Sequence, residues 1–102
     1  MSKIKVLKVE PGHKPYVTEI GNDLKSMQAV VGGYIQAVPL AGDAVLICNE
    51  EGKLDGLPFN RRFGNDILVG TFFIASSDDL GEFISLPDSD IEKYTKMFRL
   101  PV

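Results

Sequence analysis

The sequence has very few of the side chains that bind metal ions or act as nucleophiles. It contains one cysteine, Cys48, one histidine, His13, and no tryptophan. A zinc site needs three or four cysteine, histidine or carboxylate ligands, and a lone cysteine cannot form a disulfide within the chain. We therefore expect no metal site, no cofactor and no intramolecular disulfide.

An excess of basic charge and long apolar segments are also missing. Eleven Lys and Arg residues stand against fourteen Asp and Glu, which gives a formal net charge of −3 and argues against a protein that binds DNA or anionic membranes. No apolar run approaches the roughly 18 residues that cross a bilayer, and no signal-peptide pattern is present. The sequence predicts one small cytoplasmic domain over residues 1–102, without direct nucleic-acid or membrane binding.

Short apolar segments separated by turns are what the sequence does contain. They predict an α+β fold, in which a mostly antiparallel sheet of about six or seven strands carries two short helices, the second of them C-terminal. Strands are predicted over residues 4–9, 16–20, 34–38, 44–48, 67–75 and 83–84, and helices over residues 23–31 and after residues 85–88. Residues 85–88 resemble a capping box with proline in the first turn of the helix.

Two connecting segments carry most of the polar residues of interest. Residues 49–54 predict a type I turn with a bulge, in which Gly52 has a positive φ and Lys53 and Leu54 return as a hairpin arm. Residues 60–66 predict a polar surface loop. The strand that follows contains Gly70, which predicts a bulge or a bend where another backbone comes close.

Few of the side chains fit a catalytic role. His13 is predicted in a surface turn and Cys48 in a core strand, so neither is placed as a nucleophile or its base. Glu50 and Glu51 could form an acid–base pair, but an exposed turn keeps both carboxylates solvated, which favours a role as turn residues. We therefore predict no catalytic residue and a protein that is not an enzyme.

Binding of an anion is the best supported chemistry. Arg61 and Arg62 follow Asn60 and lie between two phenylalanines, and a guanidinium group matches a phosphate or carboxylate with two hydrogen bonds. Two such contacts contribute about 3–6 kcal/mol, below the roughly 8 kcal/mol of micromolar binding, so further residues must take part. The alternative is a solvated loop whose arginines pair with acidic residues. The predicted ligand-binding residues are Tyr34, Gln36, Asn49, Lys53, Asn60, Arg61 and Arg62.

Three motifs lie at the ends of predicted elements. They are Val31-Gly32-Gly33-Tyr34-Ile35-Gln36, Asn49-Glu50-Glu51-Gly52-Lys53-Leu54-Asp55-Gly56-Leu57-Pro58-Phe59-Asn60, and Val69-Gly70-Thr71-Phe72-Phe73-Ile74. Their order and spacing closely resemble those of a family catalogued as domain of unknown function 3846 (DUF3846), over nearly the whole chain. The resemblance implies a small protein of bacteriophages, plasmids or their hosts, with some members near or fused to antirestriction proteins and no established catalytic motif.

Two functions from different classes follow as hypotheses. The first is a non-enzymatic protein that binds a small ligand, as an anti-defence sponge that sequesters a nucleotide-derived immune signal. The second is an interaction module that engages a basic surface of a host defence or DNA-binding protein. The acidic residues proposed for that surface are Asp78, Asp79, Glu82, Asp88, Asp90 and Glu92.

A homo-oligomer is also expected, with a dimer as the simplest case. The run of residues 67–75 offers more apolar surface than two short helices readily cover, and a symmetric interface is the usual way to bury the remainder.

Overall fold

The fold consists of eight strands and two helices in a computed structural model that describes residues 2–99. In chain order the elements are β1 (Lys3–Val9), β2 (Tyr16–Gly21), α1 (Leu24–Val31), β3 (Ile35–Pro39), β4 (Ala44–Asn49), β5 (Phe59–Phe63), β6 (Asp66–Val69), β7 (Phe72–Ser77), β8 (Phe83–Ile84) and α2 (Asp88–Met97). The predicted α+β class and the C-terminal second helix are confirmed. Residues 1 and 100–102 of the predicted domain lie outside the described residues.

The main sheet is antiparallel and has the strand order β2-β1-β7-β4-β3, with the short β8 paired to β7. Its two faces are both covered. Met27 and Val31 of α1 pack on one face, whereas Tyr94 and Phe98 at the end of α2 pack on the other, together with the two-stranded β5–β6 ribbon. Burial on both faces explains the unbroken apolar runs at residues 44–48 of β4 and 72–75 of β7.

Of the apolar run at residues 67–75 that suggested an oligomer, the part in β7 is buried inside the monomer, whereas Ile67 in β6 is 38% exposed. Phe72, Phe73 and Ile74 of β7 have no exposed surface, because β7 is the middle strand of the order β2-β1-β7-β4-β3. Strand β7 therefore offers no surface for a second copy, and the oligomeric state stays a prediction.

Helix α1 begins and ends at well-defined caps. The Asp23 side chain accepts hydrogen bonds from the backbone N–H of Ser26 at 2.7 Å and from its hydroxyl at 2.9 Å. Gly32 ends the helix in the left-handed conformation with φ of 80°, as its place after the last apolar residue predicts. The backbone hydrogen bond from Ser26, followed by the one from its side chain, lowers the pKa of Asp23 below its ordinary value of 3.8.

We expect Asp23→Asn to flatten the pH dependence of stability at acid pH. A carboxylate whose pKa is lower in the folded state stabilises the fold above its ordinary pKa and loses that contribution as the pH falls through the folded value. Asparagine caps helices about as well and does not titrate there. Urea unfolding at pH 7 and pH 3 should show a larger loss for wild type than for the variant. Equal losses would contradict a capping carboxylate.

The start of α2 differs from the predicted capping box. The hydroxyl of Ser85 accepts a hydrogen bond from the backbone N–H of Lys5 at 2.8 Å, so it is used by β1 and not by the helix. Pro87 takes the N-cap position without a side-chain hydrogen bond. Tyr94 and Phe98 are buried and Ile91 is half-buried, so their helical spacing gives α2 an apolar stripe that faces the sheet.

Residues 50–56 form one helical turn, which we call the 50–56 turn, and not a hairpin. The backbone of Gly52 does not have a positive φ, whereas Gly56 has φ of 69°. The N–H of Gly56 donates to the carbonyl of Lys53 at 3.3 Å, and that of Leu57 donates to Gly52 at 3.0 Å. This pattern is the Schellman closure of a helix end, so the left-handed glycine is Gly56 and Lys53 and Leu54 do not return as a strand.

The predicted polar loop at residues 60–66 is a β-ribbon. Arg62 pairs with Ile67 and Phe63 with Asp66, across a two-residue turn in which Gly64 has φ of 61°. A glycine at the first position of such a turn is typical of a type II′ hairpin. The predicted strand at 67–75 is therefore two strands, β6 and β7, that belong to different sheets and are separated at Gly70, where a bend was predicted.

Within residues 2–99, neither helix has the length and apolar character required to cross a membrane.

Candidate functional site

A groove of about 640 Å³ lies between strands β3 and β4, the 50–56 turn and the β5–β6 ribbon. We call it the β3 groove. Gln36 and Val38 of β3 pair with Cys48 and Leu46, so they lie on the same side of the sheet as the ribbon. The residues lining the groove are Gln36, Val38, Cys48, Asn49, Glu50, Glu51, Gly52, Lys53, Leu54, Phe63, Asn65, Asp66, Ile67, Leu68 and Val69.

Cys48 is the one nucleophilic side chain in the lining of this groove. Its sulfur lies 4.0 Å from Oε1 of Gln36, which is a weak contact. Burial raises the pKa of the Cys48 thiol above its ordinary value of 9.0. Because the thiolate is the reactive form, this environment does not activate the sulfur.

An ion pair joins two walls of the groove. Nζ of Lys53 in the 50–56 turn lies 2.6 Å from Oδ1 of Asp66 at the start of β6. The hydrogen bond from Lys53 is the main cause that lowers the pKa of Asp66. Glu50 and Glu51 have no ion-pair partner in the part of the chain that the structure describes. The carboxylates of Glu50 and Glu51 are therefore the negative charges of the groove that no ion pair compensates.

Asn49 lies at the junction of three elements and is almost buried. Its Nδ2 donates to the carbonyl of Val31 at the end of α1 at 3.2 Å, and its Oδ1 accepts from the N–H of Glu51 at 2.8 Å. A Cβ on Gly33 would come within 2.8 Å of Nδ2, so glycine is required there to let the amide reach the helix end. Asn49 therefore holds the groove wall in place.

Tyr34 belongs to a second, smaller cavity. It is 67% exposed and lines a space of about 270 Å³ on the other side of Asn49, together with Gln28, Glu51 and Asp55. The 50–56 turn contributes residues to both cavities. Tyr34 and Gln36 therefore lie in neighbouring cavities and not in one site.

Asn60 and Arg61 are interior residues of the fold, which corrects the prediction of an exposed loop. They are 0% and 1% exposed. Nδ2 of Asn60 donates to the carbonyls of Val9 at 2.9 Å and Gly70 at 2.7 Å. These bonds connect β5 to β1 and to the junction of β6 and β7, so the Asn60 side chain has a structural role.

The guanidinium of Arg61 is occupied by oxygens of the protein. Nε donates to the carbonyl of Phe98 at 2.8 Å, Nη1 donates to the carbonyl of Asn60 at 3.1 Å and to its Oδ1 at 2.7 Å, and Nη2 donates to the carbonyl of His13. Desolvation lowers the pKa of Arg61 below its ordinary value. Its position at the end of α2 also places a cation where the helix dipole favours one. Arg61 is thus committed to structure, and we leave it out of the site.

The seven predicted ligand-binding residues are therefore spread over several places. Gln36, Asn49 and Lys53 line the β3 groove, Tyr34 lines the smaller cavity, and Asn60 and Arg61 are interior. Arg62 is exposed on β5 and lines neither cavity. The sequence reasoning missed the ribbon wall of the groove, formed by Phe63, Asp66, Ile67, Leu68 and Val69, although Gly64-Asn65 between two strand-forming segments is a hairpin signal.

The six acidic residues proposed for a protein interface form two separate groups. Asp78, Asp79 and Glu82 lie around the turn between β7 and β8, where Oδ1 of Asp78 accepts from the N–H groups of Leu80 and Glu82, both at 2.9 Å. The others lie on α2, where Asp88 pairs with Lys5 and Glu92 with Lys96. Because Asp88 and Glu92 form ion pairs with lysines, the acidic group at the turn between β7 and β8 has less of its negative charge compensated.

No group of three or more metal-ligating side chains occurs among residues 2–99.

The family model described as "Domain of unknown function (DUF3846)" matches residues 4–99. No curated protein and no solved structure matches the chain significantly.

Proposed function

The chain belongs to the DUF3846 family of domains of unknown function, and we propose that it is a non-enzymatic binding protein whose ligand occupies the β3 groove. As part of the same proposal, it acts in the cytoplasm, which is the host cytoplasm for a phage-encoded protein. There it counters a defence system by occupying one of its components. The cytoplasmic location and the anti-defence role rest on the family resemblance alone.

The groove itself is the observation that carries the proposal. Its volume of about 640 Å³ falls within the range of typical ligand pockets, roughly 300–1,000 Å³. Apolar side chains of Val38, Phe63 and Leu68 line it together with polar groups from Gln36 and the 50–56 turn. A mixture of apolar surface with a few fixed polar groups is what binds and orients a small organic ligand.

A binding role is better supported than catalysis. The Cys48 thiol is held in its unreactive protonated form by burial, and His13 lies outside the groove lining. Glu50 and Glu51 lie in an exposed turn, where a catalytic carboxylate would need desolvation or a close charge to tune it. These features support a protein that holds a molecule and does not transform it.

The charges of the groove favour a neutral or positively charged ligand. Lys53 is paired with Asp66, so Glu50 and Glu51 set the remaining charge. A phosphate group would meet these carboxylates without a free cation to offset them. The nucleotide-derived signal expected from Arg61 and Arg62 therefore has less support than an organic amine or guanidine, and it forms the second arm of the test.

An acidic protein-interaction module remains the second candidate. The observation in its favour is Leu80, which is 88% exposed at the tip of the turn between β7 and β8 and is flanked by Asp79 and Glu82. An apolar residue ringed by carboxylates fits a partner surface that is apolar at its centre and basic around it. Asp78 holds the turn through its hydrogen bonds and is not a suitable site for mutation.

NMR titration of the ¹⁵N-labelled protein tests the groove with two defined probes, phenethylamine and AMP. We expect phenethylamine to shift the amide signals of Gln36, Cys48 and Lys53 in a saturable way, and AMP to leave them unchanged. Gln36→Trp places a large side chain in the groove and should weaken the apparent affinity for phenethylamine at least about tenfold, or roughly 1.4 kcal/mol.

Leu80→Trp is the matched control, because it adds the same side chain at an exposed position outside the groove. It should leave the titration unchanged. Groove shifts with AMP would instead support the nucleotide ligand. If neither probe moves groove signals, and charge reversal at Asp79 and Glu82 abolishes capture of a host protein, the interaction module replaces the groove as the functional site.

A further inference from the structure

Strand β3 is an edge of the main sheet and presents unpaired backbone groups on its outer side. The hydrogen bonds from Glu50 N–H to Tyr34 carbonyl and from Leu40 N–H to Ala44 carbonyl, both 2.8 Å, fix the bonded register with β4. Because bonded pairs alternate along an antiparallel ladder, Gln36 and Val38 also point their backbone groups at β4. Ile35 and Ala37 therefore direct their N–H and C=O groups outward.

Pro39 marks the end of this free edge. It faces outward in the same register and has a carbonyl but no N–H, so it accepts one hydrogen bond and donates none. Among residues 2–99, no strand pairs with the outer side of β3. The edge thus has room for one short extended segment, held mainly by Ile35 and Ala37.

The β3 groove lies beside this edge on one face of the sheet. Gln36 and Val38 direct their side chains into the groove, and the ribbon residue Leu68 lines its far wall. In an added strand, alternate side chains would point into the same groove. A backbone edge next to a side-chain groove is the arrangement through which sheets recognise extended peptides.

Charge indicates which peptide fits. Glu50 and Glu51 follow β4 at the end of the groove nearest Tyr34, whereas the cation of Lys53 is taken up by Asp66. A basic side chain at that end of an added strand would meet carboxylates that have no partner within the described chain, and an acidic one would be repelled.

We propose that the ligand of the β3 groove is an extended peptide segment with basic and apolar residues, which pairs with the free edge of β3 as an additional strand. This inference rests on the proposed function, since it names the class of ligand that the same groove takes. The other edge strand, β2, contributes no residue to the β3 groove or to the smaller cavity beside Tyr34.

A second copy of the chain fits the edge less well. Antiparallel pairing of two β3 strands about Ala37 would bring the Glu50 end of one copy toward the Asp43 end of the other. Carboxylates would then face carboxylates. The pairing would also leave one acceptor in each copy unpaired, because each Pro39 lacks the N–H that would donate to the carbonyl of Ile35 in the other copy.

Fluorescence anisotropy with a labelled hexapeptide, acetyl-Arg-Thr-Leu-Thr-Val-Lys-amide, tests the proposal on the full chain. Two versions carry N-methyl groups, one on the two threonines and the other on leucine and valine. Only one of these sets can face β3 in a paired strand, so we expect one version to lose roughly tenfold or more in affinity and the other to bind nearly as well as the parent.

Ala37→Pro tests the same contact from the side of the protein. It removes an outward N–H that makes no hydrogen bond in the sheet, and β3 already tolerates a proline at the outward position 39, so the melting temperature should change by only a few degrees. The same N–H would pair with the peptide, so peptide affinity should fall about fivefold or more. Glu50→Gln with Glu51→Gln should also weaken binding. The matched pair Asp79→Asn and Glu82→Gln, with the same change in charge, should not.

The outcomes separate this inference from the proposed function. If both N-methylated peptides bind equally and Ala37→Pro has no effect, strand pairing is wrong, although groove binding of phenethylamine would stand. If the peptide fails to bind while phenethylamine binds, the peptide class is wrong and the groove is right. If Ala37→Pro converts a dimer to a monomer without peptide, a second copy occupies the edge and the proposal is overturned.

Discussion

We expect Arg61→Met to destabilise the protein by about 3–5 kcal/mol, although Arg61 has the sequence context of an exposed anion-binding residue. Its guanidinium donates four hydrogen bonds, to the carbonyls of Phe98, Asn60 and His13 and to the side chain of Asn60. Methionine fills much of the volume but leaves these acceptors buried and unsatisfied. Urea unfolding followed by circular dichroism measures the loss.

Arg62→Met is the matched control, because it makes the same change at the next residue, which is exposed on β5. It should change stability by no more than about 0.5 kcal/mol. Arg61→Lys should fall between the two, since one ammonium cannot reproduce the planar set of donors. Equal effects of Arg61→Met and Arg62→Met would show that the buried hydrogen bonds contribute little.

Arg61 also shows why the candidate site could be predicted only in part. The run Phe59-Asn60-Arg61-Arg62-Phe63 has no regular alternation, because a bulge lies between Phe59 and Arg61 and places Asn60 and Arg61 both inside. Polar residues at such a bulge look like a loop in sequence. Three of their partners, the carbonyls of Val9, His13 and Phe98, are at least 37 residues away, and no local pattern indicates them.

The parts of the fold that were predicted correctly depend on local signals. The strands predicted over residues 4–9 and 16–20, the helix predicted over residues 23–31 and the C-terminal helix each follow from residues a few positions apart. The sheet order and the division of residues 67–75 between two sheets depend on long-range pairing, which periodicity alone does not specify. The β3 groove is built from both kinds of element, so the prediction included Gln36 and Asn49 on its sheet side and Lys53 in the 50–56 turn but missed the ribbon wall.

The motifs that resemble the family pack against one another in three dimensions. Gly33 makes room for the amide of Asn49, and a Cβ on Gly52 would lie 3.0 Å from Cγ2 of Val69. Asn60 bonds the carbonyl of Gly70. These contacts fix the position of the 50–56 turn and of the ribbon, and so they define the walls of the groove, which Asn49, Gly52 and Val69 also line.

We expect Gly70→Ala to destabilise the protein by about 2–4 kcal/mol. Gly70 has φ of 72°, in the region where an L side chain costs roughly 1–2 kcal/mol. A Cβ there would also lie 2.7 Å from Cδ1 and 3.4 Å from Cβ of Leu57, so Leu57 or the backbone must shift. Thermal and urea unfolding of the variant measure the loss.

Gly64→Ala separates the two causes. Gly64 has φ of 61° with no atom within 4 Å of a Cβ, so its alanine variant carries the cost of the left-handed backbone without a collision. The excess of Gly70→Ala over Gly64→Ala then measures the contact with Leu57, and Leu57→Ala in the Gly70→Ala background should remove part of that excess. Equal losses at both glycines would mean that Leu57 moves aside freely.

A larger loss at Gly70 would mean that the bend between β6 and β7 is held by close packing against Leu57. Two hydrogen bonds hold the same bend, because the N–H of Gly70 donates to the carbonyl of Pro58 and the carbonyl of Gly70 accepts from Asn60. In that case the ribbon is a fixed wall of the β3 groove, and a ligand must fit the groove as it stands.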